Sequence, residues 1–202
     1  MSATLAPQEW HEVTAPPPGI ALAAAGVTAG YDAGTLASDE LCRLVAELAS
    51  RVDLWKPLVV RDAARRRYRL LLEDARLDIW VLSWMPGQAT GYHDHGNSNV
   101  ALTTLQGTVL ERQIRLGWPS IERELAPGFV QPGPAGYIHS VSHSCGTPAV
   151  TLHAYSPPLV QVGQYRAGPQ GELRREGQHG RQELLDHTIA EARRNRSTTA
   201  SR

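Results

Sequence analysis

The sequence is short of cysteine, of net charge and of long apolar stretches, and each shortage argues against a class of protein. Its 202 residues include two cysteines, Cys42 in a helical pattern and Cys145 in a loop. This usage argues against a disulfide framework and favours a reducing compartment. Twenty basic and twenty acidic side chains cancel, so neither nucleic acid nor an anionic membrane surface is predicted as a partner.

The apolar stretch at residues 19–30 is rich in alanine and glycine. It is too short to cross a bilayer, which takes about 20 apolar residues. The first residues carry Glu9 and Glu12 and no basic leader, which does not match a secretory signal. We therefore expect a cytoplasmic protein that does not act at a membrane.

The order of sequence patterns predicts one β domain with variable ends. Residues 1–33, with three consecutive prolines, predict a loosely ordered segment, and a helix is predicted from Ser38, the expected N-cap. From about residue 66, short strand patterns alternate with Gly/Pro turns, which is typical of a small barrel or sandwich. We place the domain, with its helical lead-in, at 34–165. The extension at 166–202 is expected to be irregular up to Gly180, then to form a short helix at 182–194 and a disordered tail.

Three histidines indicate a metal site inside that barrel. His93 and His95 are two residues apart in Gly91-Tyr92-His93-Asp94-His95-Gly96, so on a strand both point to one face, while Asp94 points away. His139 follows a Pro/Gly turn and would arrive on another strand. Imidazole is the commonest metal ligand near neutral pH, and three of them would leave coordination positions open for chemistry.

His143 is not predicted to join this group. It lies four residues after His139, a common spacing for a metal pair on a helix, but the intervening Ser-Val-Ser favours a strand. Residues so spaced on a strand lie about 13 Å apart. That is too far for two ligands of one ion with bonds near 2.1 Å.

The glycines and prolines around the histidines resemble the two signature motifs of the cupin barrels. The first motif matches Gly91-x-His93-x-His95, and the second runs from Gly128 through Pro132, Pro134 and Gly136 to His139. The resemblance implies a mainly β fold: a single cupin barrel (a double-stranded β-helix, or jelly roll) with N-terminal helices and a short C-terminal helix. A typical cupin adds a glutamate ligand after the second histidine, but the matching position here is Val100.

A three-histidine cupin site without a carboxylate resembles the thiol dioxygenases, and further residues resemble cysteine dioxygenase. These are Leu105-Gln106-Gly107 and the run Leu152-His153-Ala154-Tyr155-Ser156-Pro157-Pro158. In that family a Ser-His-Tyr relay lies beside the iron, and the matching positions are Thr151, His153 and Tyr155. Spaced by two residues, the three would share one face of a strand. Val100 also stands where animal members carry a cysteine linked to the tyrosine, so this chain resembles the bacterial type without the crosslink.

The family binds the substrate carboxylate with an arginine on an early strand. The basic run at residues 65–69 lies in the corresponding region. Arg69 is the first choice, since it precedes an apolar strand as the family arginine does, and Arg67 is the second. Tyr155 would also contact the substrate. Relatives that prefer 3-mercaptopropionate carry glutamine in place of this arginine, so the alignment of a few residues decides the expected substrate.

The resemblance implies that iron(II) is held by His93, His95 and His139 and that both atoms of O2 are added to a small thiol to give a sulfinate. L-cysteine is the first substrate, and 3-mercaptopropionate or an ergothioneine-like thione is the alternative. Two further possibilities remain open: a metal cupin that is not an oxygenase, with zinc held by the three histidines, and a binding or sensor cupin without turnover. A monomer or a weak homo-oligomer is expected.

Overall fold

The computed structural model describes residues 16–31, 34–115, 117–167 and 172–180. Its helices are α1 (Pro18–Thr28), α2 (Ser38–Ser50) and α3 (Val52–Trp55), followed by a 3-10 turn at Lys56–Leu58. The first six strands are β1 (Arg67–Glu73), β2 (Asp78–Trp84), β3 (Tyr92–Asp94), β4 (Asn99–Gln106), β5 (Val109–Arg115) and β6 (Trp118–Leu125). The rest are β7 (Val130–Gly133), β8 (Ile138–His143), β9 (Ala149–Ser156), β10 (Gln161–Ala167) and β11 (Leu173–Gly180). None of these helices is long and apolar enough to span a bilayer.

The strands form two antiparallel sheets whose order defines the fold. One sheet runs β1-β2-β9-β4-β7 and the other β11-β10-β3-β8-β5-β6. Without the additions at the edges, β2 to β9 make two four-stranded sheets, β2-β9-β4-β7 and β3-β8-β5-β6. Successive strands of the chain alternate between these sheets except at the β5–β6 hairpin, which is the double Greek key of a jelly roll. The prediction of a mainly β cupin barrel is confirmed.

Two apolar cores lie on opposite sides of the five-stranded sheet. The outer core holds the apolar stripe of α2, including Leu41, Leu44 and Leu48, against outward-facing strand residues such as Ile79 and Leu152. The inner core lies between the two sheets and includes Trp80, Leu102, Val109, Val141 and Val162. The period-two alternation of strand residues supplies both cores from the same strands. The inner core is the side on which the histidines lie.

Helix α2 forms where it was predicted, with a small difference at its start. Ser38 is the first helical residue, not the N-cap, which is Ala37. The Glu40 carboxylate accepts a hydrogen bond from the Ala37 backbone N–H at 2.8 Å. Asp39 and Glu40 in the first turn also favour the helix through its dipole.

Two segments expected to lack regular structure are ordered. The loosely ordered prediction for residues 1–33 is wrong for Pro18–Thr28, which form α1 because alanine has the highest helix propensity and Ala24 is buried against the outer core. The irregular prediction up to Gly180 is also wrong, since β10 and β11 form a hairpin that pairs with β3. β10 crosses the predicted domain boundary at residue 165, so the sheet continues into the predicted extension. The helix predicted at 182–194 and the tail lie outside the described residues.

Candidate active site

Three histidines from adjacent strands of the six-stranded sheet meet in the inner core. His93 lies on β3, His95 directly follows it, and His139 on β8 is the register partner of His93. One ring nitrogen of each lies within 4.8 Å of the others, and all three residues are buried. The structure thus brings together the three residues predicted as metal ligands. His143 is not part of this group, and its Nε2 lies 3.0 Å from the Thr147 carbonyl oxygen.

The hydrogen bonds of the trio leave ring nitrogens available for a metal. Nδ1 of His93 donates to the Gly91 carbonyl oxygen at 3.1 Å, and Nδ1 of His139 donates to Oε1 of Glu111 at 2.8 Å. These bonds place the proton on Nδ1 and the lone pair on Nε2. Neither Nε2 of His139 nor either ring nitrogen of His95 has a hydrogen-bond partner among the described residues. Buried polar atoms are normally paired, so this trio fits a bound metal ion.

Burial keeps the His93 and His95 rings neutral. Desolvation, followed by the proximity of His139, lowers the pKa of His93 well below its usual value. Desolvation and then the neighbouring His93 do the same to the pKa of His95. Neutral imidazole is the form that binds metal ions, so His93 and His95 can bind a metal ion at physiological pH without first losing a proton.

Glu111, which was not singled out from the sequence, contacts the trio through a hydrogen bond with His139. It is fully buried on β5, diagonally across from His139 on β8. Its carboxylate accepts hydrogen bonds from His139 and from the Tyr137 hydroxyl at 3.0 Å, and Arg123 lies 3.5 Å away. Desolvation and the charge of Glu111 raise the pKa of Tyr137, which keeps it a donor. The site therefore does include a buried carboxylate, but it contacts His139 and not the metal position itself.

A chain of hydrogen bonds runs along the inner face of β9. The Trp84 indole N–H donates to Thr151 Oγ1 at 2.8 Å, and Thr151 Oγ1 lies 3.0 Å from His153 Nε2. His153 Nδ1 lies 3.2 Å from the Tyr155 hydroxyl. The structure thus brings together the three residues matched to the family relay.

The tryptophan fixes the first hydrogen bond of this chain. Because an indole N–H can only donate, Thr151 Oγ1 accepts from Trp84. The tautomer of His153 sets the direction of the next two contacts. With its proton on Nδ1, His153 accepts from Thr151 and donates to the Tyr155 oxygen, which leaves the tyrosine proton free for another acceptor. Burial, and next the neighbouring His139, lower the pKa of His153 to about 3. Burial, followed by Asp78, raises the pKa of Tyr155, so His153 stays neutral and Tyr155 keeps its proton.

The arginine at the site is Arg66, not Arg69 or Arg67. Arg66 is 4 % exposed and lines the cavity with Tyr68, whereas Arg67 forms an ion pair with Asp62 and Arg69 is absent from the cavity wall. Strand alternation explains the difference. Arg66 and Tyr68 face the inner core, whereas Arg67 and Arg69 face the other side.

The cavity lies between the trio and the inner face of the five-stranded sheet. It has about 330 Å³ of space including its open mouth. Its polar wall comprises His93, His95, His153, Tyr155 and Arg66, and its apolar wall includes Leu82 and Val141. The His95 and Tyr155 rings are 5.0 Å apart between centroids. A small molecule in this cavity would contact the relay, the arginine and the metal position together.

Val100 lies beside Tyr155, as its register partner across β4 and β9. Its side chain is buried in the inner core, where it offers neither an oxygen ligand nor a sulfur for a thioether. The two cysteines lie elsewhere, Cys42 on α2 and Cys145 in an exposed loop. The position that carries a glutamate ligand in typical cupins is therefore occupied by apolar packing.

The jelly roll and its buried histidine trio define a cupin with a three-histidine site. The cysteine dioxygenase type I family model matches residues 30–128, a span that includes His93 and His95 and ends before β7. Over this span, about half of its length, the chain is similar to the cysteine dioxygenase family.

The chain is also similar to curated proteins and to solved structures. Cysteine dioxygenase type 1 of Danio rerio is 27 % identical over 146 residues, which cover 64 % of this chain and 70 % of that protein. The Homo sapiens protein of that name is 28 % identical over 99 residues, and the chain covers about half of its length (43 % of this chain, 48 % of that protein). A solved protein from Thermus thermophilus is 27 % identical, with a TM-score of 0.46 over 51 % of this chain and 93 % of its own. A cupin superfamily protein from Desulfitobacterium hafniense is 17 % identical, with a TM-score of 0.42 over 50 % and 84 %.

Proposed function

We propose that this protein is an iron(II)-dependent thiol dioxygenase that converts L-cysteine to cysteine sulfinate. The observation that carries the proposal is the placement of a buried three-histidine site beside the Thr151–His153–Tyr155 chain, with His93, His95, His153 and Tyr155 lining one small cavity. The similarity to the cysteine dioxygenase family supports the same reaction. Among the described residues, none on the cavity wall offers a carboxylate as a fourth ligand.

His93, His95 and His139 would hold the iron through ring nitrogens, which leaves one side of the ion open. Bound there, iron(II) would supply coordination positions for the thiol sulfur and for dioxygen, and its charge would favour the thiolate. With three neutral ligands the site carries more positive charge than a site with a carboxylate ligand. This favours an anionic substrate.

Arg66 would bind the substrate carboxylate. Its guanidinium lies 4.8 Å from the ring centroid of Tyr68 and 4.9 Å from that of Trp84, and it also donates to the Tyr68 hydroxyl. Burial lowers the pKa of Arg66 to about 9, so it stays cationic at neutral pH. A planar guanidinium can bind a carboxylate through two parallel hydrogen bonds, and this contact would direct the thiol toward the histidine trio.

Tyr155 would donate a hydrogen bond to the bound substrate or to the oxygen being transferred. With the His153 proton on Nδ1, the tyrosine proton is available for this purpose. The raised pKa of Tyr155 keeps that proton in place. The tyrosine thus acts as a fixed donor, positioned by His153 and Thr151.

The proposed reaction balances without a further reductant. Two S–O bonds form and the O–O bond breaks, so sulfur loses four electrons and dioxygen gains them. The thiol proton is retained in the sulfinic acid or released to solvent. The apolar wall, including Leu82 and Val141, limits water around the sulfur and so disfavours loss of partly oxidised products.

Oxygen uptake by iron-loaded protein tests the proposal. The purified protein is reconstituted anaerobically with iron(II), and oxygen consumption is measured with L-cysteine, 3-mercaptopropionate and ergothioneine, with His93→Ala as the control. We expect consumption that requires both iron and thiol, is fastest with L-cysteine and is lost in the variant. Iron-loaded protein that is inert toward all three thiols would contradict the proposal. Faster turnover of one of the other two thiols would keep the reaction and replace the substrate.

A further inference from the structure

Asp94 lies between His93 and His95 and points to the opposite face of the strand. It is 5 % exposed although it is not a ligand. Its Oδ1 accepts a hydrogen bond from the Gly96 backbone N–H at 2.7 Å, which fixes the turn that follows His95. Its Oδ2 accepts a hydrogen bond from the Tyr165 hydroxyl of β10.

The hairpin of β10 and β11 closes over this carboxylate. Arg175 of β11 lies 3.8 Å from Oδ2 of Asp94 and is 47 % exposed, so its contribution is weaker than that of Tyr165. Gly163 is the register partner of Asp94 on β10. A Cβ at Gly163 would lie 2.4 Å from Oδ2 of Asp94, so glycine at this position leaves room for the carboxylate.

β3 is held by both neighbouring strands. The strand has three residues, and its pairing with β8 is the single pair His93 and His139, next to a hydrogen bond from the Thr90 N–H to the Val141 carbonyl oxygen at 2.9 Å. Its pairing with β10 spans all three residues, with Tyr165 opposite Tyr92. The hairpin is therefore one of the two supports of the segment that carries two of the three candidate ligands.

We propose that Tyr165 is a positioning residue that, through its hydrogen bond to Asp94, orients His93 and His95 for metal binding. The inference rests on the proposed function, since it assumes that the trio holds iron. Tyr165 does not line the cavity and so acts through β3. The β10–β11 hairpin is then part of the metal site, although it lies outside the segment matched by the family model.

Tyr165→Phe tests this role, with Tyr92→Phe as the matched control. Both variants remove one hydroxyl from paired strands, but the Tyr92 hydroxyl makes no hydrogen bond within the described residues. The iron(II) dissociation constant is measured anaerobically by competition with a chromophoric chelator, and the unfolding midpoint of each metal-free protein is measured in parallel. We expect the dissociation constant to rise about tenfold in Tyr165→Phe, as for other groups that orient metal ligands, and to stay near the wild-type value in Tyr92→Phe.

The comparison with the metal-free proteins separates positioning from general stability. An unchanged dissociation constant in Tyr165→Phe, or a rise matched by Tyr92→Phe, would overturn the proposal. So would a loss of affinity that only follows a loss of metal-free stability. Gly163→Ala, which pushes against Asp94 directly, should weaken iron binding at least as much, and normal affinity in that variant would also overturn it. If the wild-type protein binds no iron, the proposed function fails first, and the two failures are thereby distinguished.

Discussion

Arg66 shows how the function of this site depends on the face of a strand that one side chain occupies. It lies in the inner core between Tyr68 and Trp84, while its neighbour Arg67 pairs with Asp62. The sequence places an arginine in this region but does not show which of residues 65–69 faces inward. The pairing register of β1 shifts between Leu70 and Leu72. Strand alternation counted back from the apolar residues therefore does not identify the arginine that faces inward.

Arg66→Gln is expected to raise KM for a thiol that carries a carboxylate by roughly 10- to 100-fold, since a charge-assisted hydrogen bond contributes about 1.5–3 kcal/mol. Cysteamine, which lacks the carboxylate, should show no comparable change. Arg69→Gln, three residues farther along the chain on β1, is the matched control and should leave KM near the wild-type value. Steady-state oxygen uptake measures all three. Equal effects of the two substitutions would contradict the assignment of Arg66.

At the scale of the elements, the pairing of β5 with β8 brings a buried carboxylate to the site, although none of the three candidate ligands is a carboxylate. It places Glu111 behind His139 at a hydrogen-bond distance of 2.8 Å. The sequence offers no signal for this contact, because Glu111 is one acidic residue in a strand and its neighbour is known only once β5 and β8 are paired. The helix beginning at Ser38 and most strands of the barrel were predictable, since their apolar residues follow periods of 3.6 and 2. Strands β10 and β11 were not, because partner strands, not local pattern, determine them.

Glu111→Gln keeps the size of the side chain and one acceptor oxygen but removes the charge. Residues that orient a metal-binding histidine typically contribute 10- to 100-fold in metal affinity, and we expect a loss in that range for iron(II). The exposed carboxylate of Glu122, which pairs with Arg112 on the neighbouring strand, provides the control variant Glu122→Gln. Chelator competition measures both. Wild-type affinity in Glu111→Gln would show that the buried charge does not support the site.

At the scale of the whole molecule, the barrel buries several histidines in their neutral form. The pKa values of His93, His95 and His153 are all lowered, chiefly by desolvation. In the unfolded chain these side chains take up protons near their ordinary pKa of about 6.5, while in the folded protein they do not. The unfolded state therefore binds more protons below that pH, and stability falls as the pH falls.

For the metal-free protein we expect the free energy of unfolding to decrease from about pH 6.5 downward, by up to about 1.4 kcal/mol per pH unit for each histidine. For His153 this window extends to about pH 3. Urea unfolding between about pH 7 and about pH 5 measures the slope. His153→Gln should make the slope shallower, and His143→Gln, a histidine that does not line the cavity, serves as the control. A stability that does not change over this range would contradict neutral burial of the histidines.

One proposed reaction uses the jelly roll, the buried histidine trio, the oriented tyrosine and the inward arginine. The histidine spacing and the Thr-His-Tyr strand were readable in the sequence, because i, i+2 spacing on a strand fixes a shared face. The inward arginine, the supporting glutamate and the hairpin depend on register and on contacts between distant strands. The class of reaction was therefore open to prediction, whereas the residues that tune the site were not.

The most direct measurement is the origin of the oxygen atoms in the product. Iron-loaded protein is given L-cysteine under ¹⁸O₂ in unlabelled water, and the products are analysed by mass spectrometry. The account predicts cysteine sulfinate in which both sulfinate oxygens are labelled. Cystine as the product, or a sulfinate with one or no labelled oxygen, would contradict it.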